Sequence, residues 1–268
     1  CREARKAQKA LEAKKEEVLL EVKNLNRKGV FKDINFSLRK GEILGISGLM
    51  GAGRTEVMRG IFGIDPIDSG EIFINDKKVT IKTEKDAINH GIGFVTENRR
   101  DEGLVLSMDV KENITLGTLN KFLDSPVKLN LKSEVDTTNS YIEKLKIKTA
   151  GYQQKTGTLS GGNQQKIVIA KWLLADSKIL IVDEPTRGID VGAKLEIYNI
   201  MNELVKSGVG IIMISSELPE VLGMSDRILV MCRGEITGEL SREEADQEKI
   251  MYYATGGGKY DANSEKAN

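Results

Sequence analysis

Short apolar runs separated by polar and glycine-rich segments mark the secondary structure of this chain from residue 18 onward. In the first third of the sequence, these runs predict strands of an antiparallel layer and one strand that leads into a glycine-rich loop. We expect these strands at 18–22, 34–38 and 72–74 and, before the loop, at 43–47. Turns are expected at Gly70 and at Asn75 and Asp76. The loop is followed by a helical pattern that ends near Phe62.

Beyond residue 90 the pattern alternates between strands and helices, as in proteins with a mostly parallel sheet. Between about 106 and 157 it is helical and polar, which predicts an inserted helical subdomain. We expect strands at 92–95, 179–182, 210–215 and 228–231, and helices after residue 160, at 193–206 and near 219–222. The sequence therefore predicts an α/β domain over 18–255, with a mostly parallel sheet, an antiparallel β layer and a helical insert.

The two ends of the chain differ from this domain in composition. Residues 1–17 are rich in charged residues and alanine with almost no apolar face, which predicts a charged linker helix. Residues 256–268 begin with three glycines and continue as a polar segment, which predicts a disordered tail. A first residue other than methionine, followed by a linker, also favours a piece of a longer protein.

Composition excludes several classes of protein. The 268 residues include 40 basic and 40 acidic side chains, so no basic excess favours nucleic-acid binding. Two cysteines provide neither a disulfide framework nor the spacing of a metal site. No apolar run approaches the roughly 18 residues of a transmembrane helix. The composition is therefore that of a globular domain.

The glycine-rich loop at 48–55 lies between a predicted strand and a predicted helix. It fits the phosphate-binding pattern G-x-x-x-x-G-K-[ST], except that Arg54 replaces the lysine. Its glycines would let main-chain N–H groups surround a phosphate, and Thr55 could offer its hydroxyl to Mg²⁺. Taken alone, the loop could equally be an ordinary glycine-rich turn. The candidate nucleotide-binding residues are Gly48, Gly51, Ala52, Gly53, Arg54, Thr55 and Glu56.

Two carboxylates, Asp183 and Glu184, follow the apolar run at 179–182. A buried parallel strand has this pattern, and open α/β sheets bind ligands at the carboxyl ends of such strands. We expect Asp183 to hold Mg²⁺ through water and Glu184 to act as the general base for an attacking water. A purely structural acidic pair is the alternative.

Residues 159–166, here called the signature segment, read Leu-Ser-Gly-Gly-Asn-Gln-Gln-Lys and precede an apolar helix. The segment resembles the signature of ATP-binding-cassette (ABC) ATPases, in which two glycines and a helix N-terminus meet a γ-phosphate. In that family the signature completes the site of a partner domain, so the resemblance implies a dimer of cassettes. The residues it implicates are Ser160, Gly161, Gly162 and Gln164. A Gly-Gly turn before a buried helix is the alternative, but the order of the three motifs favours the ABC interpretation.

A finer resemblance is to the second, C-terminal cassette of the fused ATPase subunits of bacterial monosaccharide importers, of the ribose, galactose and xylose type. It rests on residues 40–45, 48–56, 97–104, 159–166, 183–194 and 215–227. It implies an ABC-type P-loop NTPase with a RecA-like core that uses ATP and Mg²⁺ on the cytoplasmic face of the cell membrane, as a peripheral protein. The implied partners are the first cassette of the same subunit or a homodimer partner, an integral membrane sugar permease and, indirectly, a periplasmic or lipid-anchored sugar-binding protein. No nucleic-acid partner is expected.

Three residues depart from the general ABC pattern. Arg54 stands where a lysine contacts the phosphates, and its fork does not reproduce lysine geometry. Glu97 stands where a glutamine is usual and could ligate Mg²⁺. Ser216, a candidate catalytic residue, stands where a histidine reaches the γ-phosphate. Phe31 is the nearest aromatic residue that could stack on a base, with a core position as the alternative. These departures predict a degenerate site that binds ATP and hydrolyses it poorly.

Two other functions stay open. One is a regulatory nucleotide-binding module that does not hydrolyse ATP, which the three departures favour and the intact Asp183 and Glu184 oppose. The other is a chromosome or DNA-repair ABC ATPase, which lacks support because no long heptad insert divides the chain. The sugar stays open as well, because the permease and the binding protein would select it.

Overall fold

The computed structural model describes residues 17–125 and 128–258. The linker helix predicted for 1–17 lies outside the described residues except for Glu17, and only 256–258 of the predicted tail are described. In chain order the strands are β1 (Val18–Arg27), β2 (Phe31–Arg39), β3 (Ile43–Gly48), β4 (Ser69–Ile74), β5 (Lys77–Val79), β6 (Ile92–Val95), β7 (Leu123–Ser125), β8 (Lys128–Leu129), β9 (Ile179–Asp183), β10 (Gly210–Ile214), β11 (Arg227–Cys232) and β12 (Glu235–Ser241). The α-helices are α1 (Arg54–Ile61), α2 (Glu84–Asn89), α3 (Val110–Thr115), α4 (Leu131–Lys144), α5 (Gly161–Leu174), α6 (Val191–Lys206), α7 (Leu218–Met224) and α8 (Gln247–Ala254).

A six-stranded sheet with the order β12-β11-β3-β10-β9-β6 forms the centre of the fold. Its inner pairs are parallel, and only β12 pairs with its neighbour in the antiparallel sense. Every residue of β6, β9 and β10 is buried, because elements cover both faces of the sheet. The mostly parallel sheet predicted from the sequence is therefore confirmed. Its parallel strands all end at one edge, where the candidate site lies.

A second sheet with the order β2-β1-β4-β5 forms the expected antiparallel layer. The turn at Asn75 and Asp76 is confirmed, with both residues in the left-handed region. The turn expected at Gly70 is wrong, because Gly70 lies within β4. A glycine is needed there because a Cβ would come 2.6 Å from the Cα of Leu25 on the neighbouring strand.

The segment expected to be a helical insert is helical only in part. Besides α3 and α4 it contains 3₁₀ turns at Leu116–Phe122 and Thr156–Thr158 and a small hairpin of β7 and β8. Five buried apolar residues of the segment share a core with α5: Val110, Ile114, Phe122, Leu145 and Ile147. This insert is thus packed against the helix that the signature segment begins.

Several elements gave no clear sequence signal. The strand β12 is half-exposed along most of its length, and α8 buries only Ile250 and Ala254. A π-helical turn at Arg99–Gly103 follows β6 and was not expected. Within 17–125 and 128–258, no helix has the length and apolar composition needed to cross a bilayer.

Candidate active site

The ends of neighbouring strands bring the predicted site residues together. Strand β3 ends at Gly48 and leads through the glycine-rich loop into α1, while β9 ends at Asp183. The Thr55 hydroxyl, in the first turn of α1, donates a hydrogen bond of 2.8 Å to Asp183 Oδ2. The loop and the acidic pair, which are far apart in sequence, therefore form one site at the carboxyl edge of the sheet.

Residues 48–55, here called the phosphate loop, contain glycines whose backbone conformations other residues adopt rarely. Gly48 has a φ of 152°, and a Cβ there would lie 2.4 Å from the carbonyl oxygen of Met231. Gly51 has a φ of 75° with open space around it. The carbonyl of Ala52 accepts a hydrogen bond of 2.9 Å from the Gly234 N–H, which anchors the loop to the β11–β12 turn. The loop is thus fixed in a conformation in which no atom lies within 4 Å of the position of a Cβ on Gly51.

Asp183 carries an unsatisfied oxygen at the bottom of this site. It is 1% exposed, and its Oδ1 atom has no hydrogen-bond partner among the described residues. Burial raises the pKa of Asp183 to about 6, although the Thr55 hydrogen bond and the positive charge of Arg54 oppose the shift. A buried carboxylate oxygen without a donor, beside a threonine hydroxyl, is a donor set that suits Mg²⁺.

A further protein ligand for such a metal is not evident. Among the described residues, no group of three or more Asp, Glu, His or Cys side chains could hold a metal ion. Thr55 and Asp183 would therefore need phosphate oxygens or water to complete the coordination of Mg²⁺.

Glu184 follows Asp183 in a strained conformation. Its φ of 47° is in the left-handed region, which costs a non-glycine residue on the order of 1–3 kcal/mol. Its N–H donates to the carbonyl oxygen of Ile214 at 2.9 Å, which holds the residue at the end of β10. Burial raises the pKa of Glu184, while a 3.1 Å hydrogen bond from the Ser216 hydroxyl and the charge of Arg54 oppose the rise. A carboxylate of raised basicity at the site is what a general base requires.

Arg54 and Glu97 are already engaged within the protein. Arg54 donates from Nη1 to the carbonyl oxygen of Ser215 at 3.0 Å. Glu97 forms an ion pair with Arg187. Glu97 follows the end of β6, where Val95 pairs in parallel with Val182 of β9, so the chain leaves the sheet there near Asp183.

The signature segment forms the start of α5 and packs tightly against the rest of the chain. Ser160 is the N-cap residue of α5, and its hydroxyl accepts a hydrogen bond of 2.9 Å from Asn163. A Cβ on Gly161 would lie 2.5 Å from Nη2 of Arg99, and one on Gly162 would lie 2.6 Å from Cβ of Ala193. A side chain on Gly162 would therefore collide with Ala193, whereas one on Gly161 would displace the end of the Arg99 side chain; the sequence did not reveal either contact.

Two candidate ligand residues have inward positions. Gln164 is 3% exposed and donates from its amide to the carbonyl oxygen of Thr156 at 3.2 Å. Phe31 is 3% exposed and belongs to the hydrophobic core, so the core alternative describes its position. A cavity of about 530 Å³ lies beside the β1–β2 turn and the Arg233 turn, next to Gly53, whose Cβ would approach Val30 and Gly234.

Comparisons with known proteins agree on the kind of domain. Residues 31–187 match the protein family described as ABC transporter. A ribose import ATP-binding protein RbsA from Oceanobacillus iheyensis is 61% identical over 239 residues, which are 89% of this chain and 48% of the relative. The protein of the same name from Bacillus subtilis is 56% identical over 239 residues, with the same coverage. The chain spans about half the length of these curated relatives.

A solved structure has the same fold. An ATP-binding cassette of an ABC transporter in its ADP conformation has a TM-score of 0.73 and 26% sequence identity, and the match covers 89% of this chain and 99% of that chain. The predicted fold class, an α/β cassette of the P-loop type with a mostly parallel sheet, an antiparallel layer and an insert, is therefore confirmed.

Proposed function

This chain belongs to the ABC transporter family as an ATPase domain, and from that premise we propose that it is the second cassette of a two-cassette subunit that powers monosaccharide import. Its domain would span 18–255, with the insert at 106–157 as a subdomain. Two relatives named for ribose import, about twice as long as this chain, support the proposal. Ribose is therefore the first sugar to test.

The observation that carries the proposed nucleotide site is the contact between Thr55 and Asp183. The phosphate loop would bind the phosphates of ATP through its N–H groups, and α1 presents its N-terminus to them. Thr55 and Asp183 would hold Mg²⁺, which neutralises phosphate charge when it is bound. The unpaired Oδ1 atom of Asp183 supports this assignment.

Glu184 would receive the proton of the attacking water. Its raised pKa makes it a stronger base than an exposed glutamate, and the Ser216 hydroxyl positions its Oε2 atom. Ser216 itself does not titrate near neutral pH, so it can orient a group but cannot carry a proton as a histidine does. Chemistry at this site would therefore be slow.

The contacts of Arg54 and Glu97 also support a weak site. The Arg54 guanidinium is bonded to the end of β10, so it would have to exchange this contact for a phosphate oxygen. Glu97 would have to leave Arg187 in order to ligate Mg²⁺. We propose ATP binding with poor hydrolysis here, with Ser160 and the two signature glycines completing the nucleotide site of the first cassette.

The insert is the proposed contact with the permease. It exposes the apolar side chains of Leu116, Leu119, Leu123 and Leu131, and Val105, just before the insert, is exposed as well. Burial of this surface against an integral membrane protein would explain its composition. The cassette would then lie at the membrane surface with a sugar-binding protein as an indirect partner.

A subunit chimera tests the proposal. This chain would replace the matched region of the Bacillus subtilis relative, and ribose uptake and ATPase activity would be measured with the cognate permease and binding protein. We expect sugar-dependent uptake, and its loss with Ser160→Arg. A chimera that assembles with the permease but transports no sugar would refute the proposed function.

The regulatory alternative predicts a different result for the isolated chain. Replacing Ser216 with histidine and Glu97 with glutamine restores the usual residues of the family, so our proposal expects faster phosphate release. A rate that stays at background in the doubly substituted chain, with ATP binding intact, would favour a module that only binds nucleotide.

A further inference from the structure

Residues 96–103, here called the Glu97 loop, form hydrogen bonds and an ion pair with residues 187–188, which follow the acidic pair. Arg99 donates from Nη1 to the carbonyl oxygen of Arg187 at 2.8 Å and from Nη2 to that of Gly188 at 3.3 Å. The ion pair of Glu97 with Arg187 joins the same two segments. Two successive carbonyls are thus held by one planar guanidinium, a geometry that a lysine ammonium does not reproduce.

The same guanidinium lies against the start of the signature helix. A Cβ on Gly161 would come 2.5 Å from Nη2 of Arg99 and 3.0 Å from the carbonyl oxygen of Gly188. Gly161 therefore has no side chain at the place where the Glu97 loop, the 187–188 segment and α5 meet. A movement of the Arg99 side chain would therefore change the packing at the first turn of α5.

The far end of the Glu97 loop is bonded to α5 as well. Lys171 donates from Nζ to the carbonyl oxygen of Gly103 at 2.7 Å. Near the loop's start, the Thr96 hydroxyl is buried without a hydrogen-bond partner in the part of the chain that is described, and it lies close to the position of a Cβ on Gly103. The far end of the loop is therefore fixed to α5 by a hydrogen bond, and Glu97 and Arg99 both connect the loop to residues 187–188.

From these contacts we infer that Arg99 is a positioning residue that couples nucleotide binding at this chain's phosphate loop to its own signature segment. The Glu97 loop leaves the sheet beside Asp183, where the nucleotide's phosphates are proposed to lie. Through its contacts with the carbonyls of residues 187–188 and with Gly161, Arg99 would transmit a movement of the Glu97 loop to these residues. They belong to the surface that we propose contacts the partner's nucleotide. The inference rests on the proposed nucleotide sites and adds a physical connection between them.

The contacts of Arg99 fix the orientation of its guanidinium. Its two acceptors are main-chain carbonyls, and its Nε–H group is buried without an acceptor within the described residues. Burial lowers the pKa of Arg99, with a smaller contribution from the charge of Arg100. Arg100 is exposed on the same loop, so it offers a control that removes the same charge.

Hydrogen exchange measured by mass spectrometry on the full chain tests the coupling, with and without ATP and Mg²⁺. In the wild type we expect ATP to slow exchange at 51–55 and also at 159–164 and 186–190. Arg99→Ala should keep the protection at 51–55 and its ATP affinity, but lose about fivefold or more of the protection at the other two segments. Arg99→Lys should be intermediate, and Arg100→Ala should match the wild type.

Gly161→Ala gives a second route, because its methyl group would displace the guanidinium without removing it. It should cause the same selective loss of protection at 186–190. Full protection at all three segments in Arg99→Ala would overturn the coupling while leaving the nucleotide site intact. Faster exchange of β9 and β10 without nucleotide would overturn it too, since Arg99 would then be a general stabiliser. Absence of ATP binding to the wild type would refute the nucleotide site and the coupling together.

Discussion

Replacing Asp183 with asparagine should stabilise the nucleotide-free fold at neutral pH. Burial raises the pKa of Asp183 from 3.8 to about 6. The folded protein therefore binds this proton more tightly than the unfolded chain does. A rise of about two pKa units corresponds to about 3 kcal/mol of destabilisation once the carboxyl is ionised in both states. Asparagine keeps an acceptor for the Thr55 hydroxyl and carries no charge, so it removes this cost.

The effect has a defined pH window. Below about pH 4, Asp183 is protonated in the folded and the unfolded states, and wild type and variant should be about equally stable. Between about pH 4 and pH 6 the wild type loses stability relative to the variant, because the unfolded chain releases its proton first. Above about pH 7 the difference in the free energy of unfolding should stay near its full value.

Urea unfolding of the chain without metal or nucleotide, at several pH values, measures this difference. The exposed Asp136→Asn substitution is a matched control and should leave the urea midpoint unchanged. Addition of ATP with Mg²⁺ should stabilise the wild type more than the Asp183 variant, since the ion would occupy the unpaired carboxylate oxygen. A stability difference that is the same at pH 5 and pH 8 would refute the reasoning.

Two further substitutions test other parts of the account. Gly48→Ala would place a methyl group 2.4 Å from the Met231 carbonyl oxygen, so the ATP affinity measured by calorimetry should fall roughly tenfold or more. Gly51→Ala should reduce the ATP affinity less, because only its φ is unfavourable, and equal reductions in the two variants would contradict this. Glu196→Gln removes the half-exposed carboxylate that pairs with the buried Lys166 ammonium at 2.7 Å, while the carbonyl oxygen of Lys146 still accepts a hydrogen bond from it. Urea unfolding should therefore show a loss of about 1–3 kcal/mol that Lys166→Met largely restores, and no recovery in the double variant would contradict this.

Burial explains which parts of the fold could be predicted from the sequence. The strands β9 and β10 were predictable because both faces are covered, so their residues form continuous apolar runs. The half-exposed strand β12 has no such pattern. Gly70 suggested a turn, but it is a glycine for the close approach of β1 rather than for a reversal of the chain.

The candidate site shows the same limit. The motifs placed Thr55 and Asp183 at one edge of a sheet, because parallel strands end together. They could not reveal that Glu97 pairs with Arg187 or that Arg99 bonds to successive carbonyls, because these contacts join loops that are distant in sequence. The only sequence signal for Arg99 was its place in a motif shared with sugar importers, and that signal carried no role.

The central claim is that sugar-stimulated ATPase activity and uptake depend more on this chain's signature segment than on its own nucleotide site. The most direct test compares Ser160→Arg with Arg54→Ala in the reconstituted two-cassette transporter at saturating ATP. Ser160→Arg would put bulk and charge at the start of α5 and should nearly abolish sugar-stimulated ATPase activity and uptake. Arg54→Ala should leave a substantial fraction of both, because it affects only the site that we propose is weakened by Glu97 and Ser216. Equal losses would mean two equivalent working sites and would contradict the asymmetric mechanism.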